Sequence, residues 1–462
     1  MAYLTTLKDK KVGVLGLGVS GLSAVSFLLA NGIKPFVMDS NLKSKGVEHV
    51  ATHWPEVSVL LLADDIRQCP SLLDVDLLIV SPGIALSTPI LMAAADQGAE
   101  IIGDVELFAR VNRQPVIAVS GSNGKSTVTK LVAALLCNGD YHAVYGGNIG
   151  IPVLDLLAKP FDIAVLELSS FQLETTSSLH VQTASVLNVS EDHMDRYDSF
   201  DAYVAAKRRI YTHSDLAVYN DRELLAAPQQ SHPAQVVFSL DAPKLAPIDS
   251  LQHINVGIHD GCFAVLDNGE ARKICPLDAL SIVGQHNVLN ALAAIALVLP
   301  FRLDNDVIEK TLREFVGLPH RCERIEGTGD VLWINDSKAT NVGATVAALN
   351  GIKPQCQGKL ILLAGGVGKA ADFSPLKAAL ENHVDHLITF GCDGEQIAAL
   401  AQSSTAIRVN SMEEAVDKAF ALANSGDCVL LSPACASFDM YTNFEARGVH
   451  FMALARELHH VD

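Results

Sequence analysis

Aromatic residues are scarce in this chain, at 6% of 462 positions with only two tryptophans, and charged residues reach only 19%. With 49% of its residues hydrophobic, the chain is neither fibrous nor intrinsically disordered. Basic charge is also short: 34 Lys+Arg against 52 Asp+Glu leave a formal charge of −18. Phosphate-backbone contacts need a basic surface, so a general nucleic-acid binder is excluded, whereas one anionic pocket built from a few local cations is not. No long apolar run occurs. The most apolar stretch, Val288 to Leu299, contains Asn290 and ends at Pro300, well short of the roughly 20 residues that a membrane span needs. The opening residues, MAYLTTLKDKK, have no apolar h-region and no cleavage site, so secretion is not expected. Nine cysteines form no Cys-x-x-Cys pair, and most sit in apolar runs such as Cys428-Val-Leu-Leu, the usual setting of buried, reduced thiols. Together these features predict a cytoplasmic protein of about three domains at roughly 150 residues each.

Short β-branched apolar runs alternate with helical patterns. Val12 to Leu15, Leu77 to Val80, Val116 to Val119, Ile163 to Leu166, Ser185 to Leu187, Leu332 to Ile334, Leu360 to Leu363 and Val429 to Leu431 read as buried parallel strands. Strands separated by helices make βαβ units, so the fold class is α/β with doubly wound sheets. Leu216 to Pro276 breaks the rhythm, and its turn signal Asp267-Asn268-Gly269 predicts a small antiparallel addition. Glycine-rich or polar residues follow almost every strand: Gly16-Leu-Gly18, Ser81-Pro-Gly83, Ser120 to Lys125, Glu167, Asn188 to His193, Asn335 to Lys338, Gly365 to Lys369 and Ser432-Pro-Ala. Open α/β sheets bind ligands at the carboxyl ends of their strands, so these ends predict one large site in a cleft between domains.

Gly16-Leu-Gly18-Val-Ser-Gly21 followed by Asp39 fits a diphosphate at a helix N-terminus with an acid on a ribose hydroxyl. A tight turn that binds nothing would look the same. Gly121-Ser122-Asn123-Gly124-Lys125-Ser126-Thr127 is more specific: its backbone N–H groups can cradle phosphates, Lys125 can neutralise them, and the Ser126 hydroxyl suits Mg²⁺. Glu167, closing an apolar strand, and His193, just after another, supply oxygen and nitrogen donors beside that loop. By spacing alone Lys207 is a solvated helix lysine. Asn287 and Asn290 share a helix face, with capping as the bland alternative. Leu318 to Arg324 reads as a basic linker whose Arg321 could reach a phosphoryl group. No Gly-x-Ser-x-Gly elbow or His-Arg-Asp loop occurs, so phosphoryl transfer by positioning and charge neutralisation is expected, without an enzyme nucleophile.

Gly121 to Thr127, Leu166 to Glu174, Asn188 to Arg196, Asn335 to Asn341 and Leu431 to Ser437 closely resemble the Mur ligases of bacterial peptidoglycan synthesis, in order and over nearly the whole chain. The resemblance implies three domains: a Rossmann-like UDP-binding domain at 1–103, a P-loop-type ATP-binding domain at 104–317 and a Rossmann-like amino-acid-binding domain at 318–462. Within the family the pattern is most similar to the ligase that joins D-glutamate to UDP-N-acetylmuramoyl-L-alanine through an acyl phosphate. On that resemblance Gly18, Val19, Ser20, Asp39, Ser40, Ser81 and Gly83 contact UDP, and Asn148 lies near the muramoyl peptide. Gly121 to Thr127, Asn287, Asn290, Arg321, Asp336 and Lys338 hold ATP. Ser126 and Glu167 take one Mg²⁺, and His193 with Lys207, carried as a carbamate, takes a second. Lys125, Glu167, His193, Lys207 and Arg321 are the implied catalytic set. Thr340, Lys369, Ser437, Phe438 and Phe444 form the implied D-glutamate pocket. A monomer with small-molecule substrates is expected. Rivals are a folylpolyglutamate synthetase, another Mur ligase, an NAD-dependent oxidoreductase using Gly16 to Asp39, and a nucleotide-sensing module without turnover.

Overall fold

The structure, a computed structural model, describes residues 2–62, 69–194, 196–229, 231–244, 253–267, 269–282, 284–326, 328–401 and 405–458. Three sheets follow one another along the chain. The first has five parallel strands in the order Val59–Leu61, Phe36–Asp39, Val12–Leu15, Leu77–Val80, Glu100–Ile102. Val12–Leu15 and Leu77–Val80 are buried at every position, as strands covered on both faces must be.

The second sheet has nine strands. Val116–Ser120 lies between Ile163–Glu167 and Val181–Val186, with Ala143–Gly147 at one edge. Beyond Val181–Val186 the sheet continues through Ser214–Asn220, Gln235–Phe238 and His253–His259, all parallel. Only Cys262–Asp267 and Glu270–Pro276 run antiparallel to their neighbours. The expected antiparallel addition over 216–276 is therefore an extension of the main sheet, turning antiparallel only at its end. Asp267 pairs with Glu270 and Gly269 has φ +85°, as a two-residue hairpin turn requires; Asn268 lies outside the described residues.

The third sheet runs Glu323–Arg324, Leu332–Asn335, Cys428–Leu431, Leu360–Gly365, His386–Phe390, Thr405–Arg408, parallel except for its first strand. All eight expected strands are present in parallel ladders, although the one read as Ser185 to Leu187 begins earlier, at Val181.

One apolar core runs without a break from Leu7 in the N-terminal helix Ala2–Leu7 and Val14 in the first sheet to Leu166 and Val186 in the second. The helix Asp104–Val111 packs between them, and its buried Glu106 accepts from the Ser177 and Ser178 N–H groups and from Arg110. Separate cores cover the two faces of the third sheet. Of the nine cysteines, all free, four are buried, Cys428 in its apolar run among them, three are part-buried and two, Cys137 and Cys392, are exposed, so the burial expected of most of them holds for four. No described helix is long and apolar enough to cross a membrane.

Candidate functional site

The loop from Gly121 to Gly124 leaves the central strand Val116–Ser120 and opens the helix Lys125–Asn138. Gly124, the N-cap, has φ +83°, and a Cβ there would stand 2.5 Å from Asn290 Oδ1, so only glycine fits. The loop is held by its neighbours: Asn188 Oδ1 accepts from the Asn123 N–H at 2.9 Å, and Ser122 Oγ donates to Ser190 O at 2.9 Å. Lys125 Nζ turns back to donate to Gly121 O at 2.8 Å and Ser122 O at 2.9 Å. The first-turn N–H groups are thereby aimed at a ligand at the positive end of the helix.

Glu167 ends its strand 2% exposed; Oε1 accepts from Asn148 Nδ2 at 2.7 Å and Oε2 has no partner. A buried carboxylate oxygen without a partner is costly, and a cation beside Ser126 would satisfy it. No three His, Cys, Asp or Glu side chains gather as a metal cluster among the described residues. A magnesium ion here would complete its shell from phosphate oxygens and water, as Mg²⁺ does in nucleotide sites.

Lys207 is not solvated. It is 2% exposed in the last turn of the helix Phe200–Arg208. Its Nζ donates to Gly121 O at 2.9 Å and lies 4.5 Å from the centroid of Tyr203, one turn earlier. The spacing reading fails because this helix turns its Tyr203 and Lys207 face toward the phosphate loop. Burial, with Lys125 nearby, drives the Lys207 pKa well below the ordinary lysine value. His193, at φ +58°, packs edge-on against Phe171 at 4.9 Å. Burial lowers its pKa too, against the pull of Asp192.

A cavity of about 530 Å³ opens beside the loop, lined by Asn123, Gly124, Asn287, Asn290, Arg321 and Lys338 among others. Asn290 Nδ2 donates to Asn287 Oδ1 at 3.1 Å, and Gly284, not either asparagine, caps their helix. The expected linker at 318–324 crosses this cavity, and Arg321 Nη2 donates to Ser126 Oγ at 2.8 Å. Asp336 Oδ1 accepts from the Cys322 N–H and Oδ2 from Ser432 Oγ. Burial pushes its pKa up to about 6. Burial pushes Lys338 down to about 8, with Arg321 and Lys125 adding to the effect.

The third sheet's loops close on the second's. Asn341 and Asn123 exchange side-chain hydrogen bonds at 3.2 and 3.4 Å. Lys369 Nζ reaches Asp192 Oδ1 at 2.6 Å from a backbone at φ +55°. Thr340 and Lys369 line one small recess with Asp192 and His193. Phe444 sits under Lys338, whose Nζ lies 3.9 Å from its ring centroid. Ser437 is buried and Phe438 is 73% exposed.

In the first sheet, Asp39 accepts the Leu17 N–H at 2.9 Å and the Asn41 N–H at 2.8 Å, bracing the glycine loop. Gly16 has φ +81°, and Ser81 Oγ donates to its carbonyl at 2.8 Å. Gly18, Val19, Ser40 and Gly83 are exposed around this loop, and Ser20, in the first turn of the helix Val19–Ala30, lies beside Asp104. Sequence reasoning assigned no role to Asp192, Asn341 or Arg196, although each lies in a stretch that carried the resemblance; their contacts reach across sheets, to Lys369, Asn123 and Pro82.

A relative from Shewanella oneidensis, named UDP-N-acetylmuramoylalanine–D-glutamate ligase, is 49% identical over 448 residues, covering 96% of this chain and 98% of its own. The chain belongs to the Mur ligase family. A relative of the same name from Nitrosococcus oceani is 46% identical, with 96% of each chain covered. Three Mur ligase models match in chain order: the Mur ligase MurD-like N-terminal domain at residues 10–103, the Mur ligase middle domain at 119–298 and the Mur ligase glutamate ligase domain at 320–435. Two solved Mur ligases from Thermotoga maritima share the fold. UDP-N-acetylmuramate-alanine ligase MurC has a TM-score of 0.60 at 18% identity, covering 97% of this chain and 100% of its own. MurF ligase in complex with ADP has a TM-score of 0.59 at 15% identity, covering 99% and 96%.

Proposed function

We propose that this chain is an ATP-dependent ligase joining D-glutamate to UDP-N-acetylmuramoyl-L-alanine in peptidoglycan precursor synthesis, with release of ADP and phosphate. The contact of Arg321 with Ser126 carries the proposal. It brings a cation from the third sheet's side to the phosphate loop, where a triphosphate and an attacking carboxylate must meet. The relatives' name supplies the two acceptor substrates.

The L-alanyl carboxylate oxygen attacks the γ-phosphorus of ATP, the bond to the β-phosphate oxygen breaks, and ADP leaves. The D-glutamate amine then attacks the acyl carbon, phosphate leaves with the bond's electrons, and the nitrogen loses a proton. Bringing two anions together costs Coulomb energy, which Lys125 and Arg321 offset. Asn287, Asn290, Asp336 and Lys338 bind the rest of ATP; Thr340, Lys369, Ser437, Phe438 and Phe444 face D-glutamate; the loops at Gly18 to Ser20, Asp39, Ser40, Ser81 and Gly83 bind UDP, with Asn148 toward the peptide.

Ser126 and Glu167 would hold one Mg²⁺, and His193 with Lys207 a second. Bound there, magnesium supplies neutralisation of phosphate charge. Burial lowers the Lys207 pKa and so favours the unprotonated amine, the form that can add CO₂ and lose a proton to become a carbamate oxygen donor. We divide the domains at 103/104 and 317/318 and place the protein in the cytoplasm as a monomer.

Incubation with ATP, Mg²⁺ and both substrates tests the proposal by product mass. The expected product weighs the sum of the two substrates less one water, with one ADP formed per amide. ATP hydrolysis without amide would overturn it.

A further inference from the structure

Arg196 lies three residues beyond His193 in the irregular segment after Val181–Val186. Its Nη1 donates to Pro82 O at 3.4 Å and Gly83 O at 3.2 Å, and its Nη2 to Ile84 O at 3.1 Å. These three successive carbonyls form the turn that leaves the first sheet's strand Leu77–Val80. The same turn walls the glycine loop: Ser81 Oγ bonds Gly16 O, and Ile84 Cδ1 lies 3.1 Å from where a Cβ on Gly16 would stand.

The other side of the guanidinium's surroundings belongs to the short helix Ser170–Glu174, which follows the second sheet's strand Ile163–Glu167. Arg196 Cζ lies 4.4 Å from the centroid of Phe171, and Nη2 lies 3.8 Å from Glu174 Oε2. Phe171 is the ring against which His193 packs at 4.9 Å. One guanidinium and one ring therefore join the glycine loop of the first sheet to the His193 edge of the phosphate site. Only 16% of the Arg196 side chain is exposed. A planar fork of donors can serve three carbonyls and stack on a ring together; a lysine cannot.

We propose that Arg196 is a positioning residue that fixes the Ser81 to Ile84 turn against the His193 segment and so sets the UDP-sugar site relative to the triphosphate site. This rests on the UDP and ATP assignments above. A mere staple between domains would act on both substrates alike. Ser23 and Asp155 provide the comparison, since Ser23 Oγ donates to Asp155 Oδ1 at 2.5 Å between the same two parts of the chain without touching the Ser81 to Ile84 turn.

The test measures KM separately for UDP-N-acetylmuramoyl-L-alanine and ATP in R196A, R196K and S23A, with calorimetric binding of the UDP substrate alone. In R196A the KM and Kd for the UDP substrate should rise about tenfold or more, the loss expected for charged hydrogen bonds, while KM for ATP stays within about twofold. R196K should fall between, and S23A should keep the wild-type ratio of the two KM values. Equal rises for both substrates, or unchanged UDP-substrate affinity, would overturn the proposal. If R196A does not fold, the same criteria apply to R196K. A wild-type protein that does not bind the UDP substrate would overturn the functional proposal, and this one with it. Wild-type binding matched by the Arg196 variants would overturn this one alone.

Discussion

Arg321 Nη2 donates to Ser126 Oγ at 2.8 Å although 195 positions separate them. The arginine enters from the segment that leads into the third sheet, and the serine opens the helix of the phosphate loop. Burial lowers the Arg321 pKa, with Glu167 and Asp336 opposing, so this cation is held in place at a desolvation cost that an anionic ligand would repay.

Removing Lys125 or Arg321 should slow the reaction with little effect on folding. Lys125→Ala should lose about 3–4 kcal/mol of transition-state stabilisation, and Arg321→Ala a similar amount, the usual size for a group aimed at developing charge. Arg321→Lys should recover only part of it, because a point charge cannot reproduce the fork. Single-turnover rates with ATP and the UDP substrate check this; unchanged kcat/KM in Lys125→Ala would remove the loop from the mechanism.

For ATP, kcat/KM should be bell-shaped in pH. As pH falls through about 6, Asp336 protonates and loses its acceptor oxygen. As pH rises through about 8, Lys338 loses its proton and its charge. Both groups belong to the free enzyme, which is what kcat/KM reports. In Lys338→Arg the alkaline limb should move out of range, since a guanidinium stays protonated. A limb that stays near pH 8 in that variant would assign it to another group.

The sequence made the strands and the phosphate loop legible because both are local: a β-branched run and a glycine loop carry their own periodicity and spacing. Lys207 was not legible from spacing, since its burial depends on which face the helix Phe200–Arg208 turns to the loop after Val116–Ser120. The extension of the second sheet through Ser214–Asn220 was also hidden, because parallel pairing of Leu216 with Thr183 joins strands with no local signal of each other. The Mur ligase resemblance supplied expected roles, such as those of Arg321 and Lys369, that spacing alone left open. The contacts those side chains make, with Ser126 and Asp192, needed the fold.

Lys369→Ala should raise KM for D-glutamate by roughly tenfold or more while leaving KM for ATP nearly unchanged, as expected when a charged partner of a substrate carboxylate is lost. Lys369 now pairs with Asp192 at 2.6 Å, so the amino acid's carboxylate must compete with a built-in one. Asp192→Asn should therefore lower KM for D-glutamate. Initial-rate measurements with varied D-glutamate check both; a raised KM in Asp192→Asn would contradict the competition.

Glu167→Gln should weaken magnesium binding. Its unpartnered Oε2 becomes, at best, a neutral ligand, and hard divalent cations favour charged oxygen. The Mg²⁺ concentration giving half-maximal rate should rise, while chelation of wild-type enzyme should abolish turnover and added Mg²⁺ restore it. Wild-type activity that survives chelation would contradict the metal assignment.

The most direct test is phosphate release from Mg-ATP with UDP-N-acetylmuramoyl-L-alanine, with D-glutamate, L-glutamate, L-alanine and meso-diaminopimelate added in parallel. Sustained release with D-glutamate alone is the predicted result. Release driven by a different amino acid, or by none of them, would contradict the assigned ligase activity.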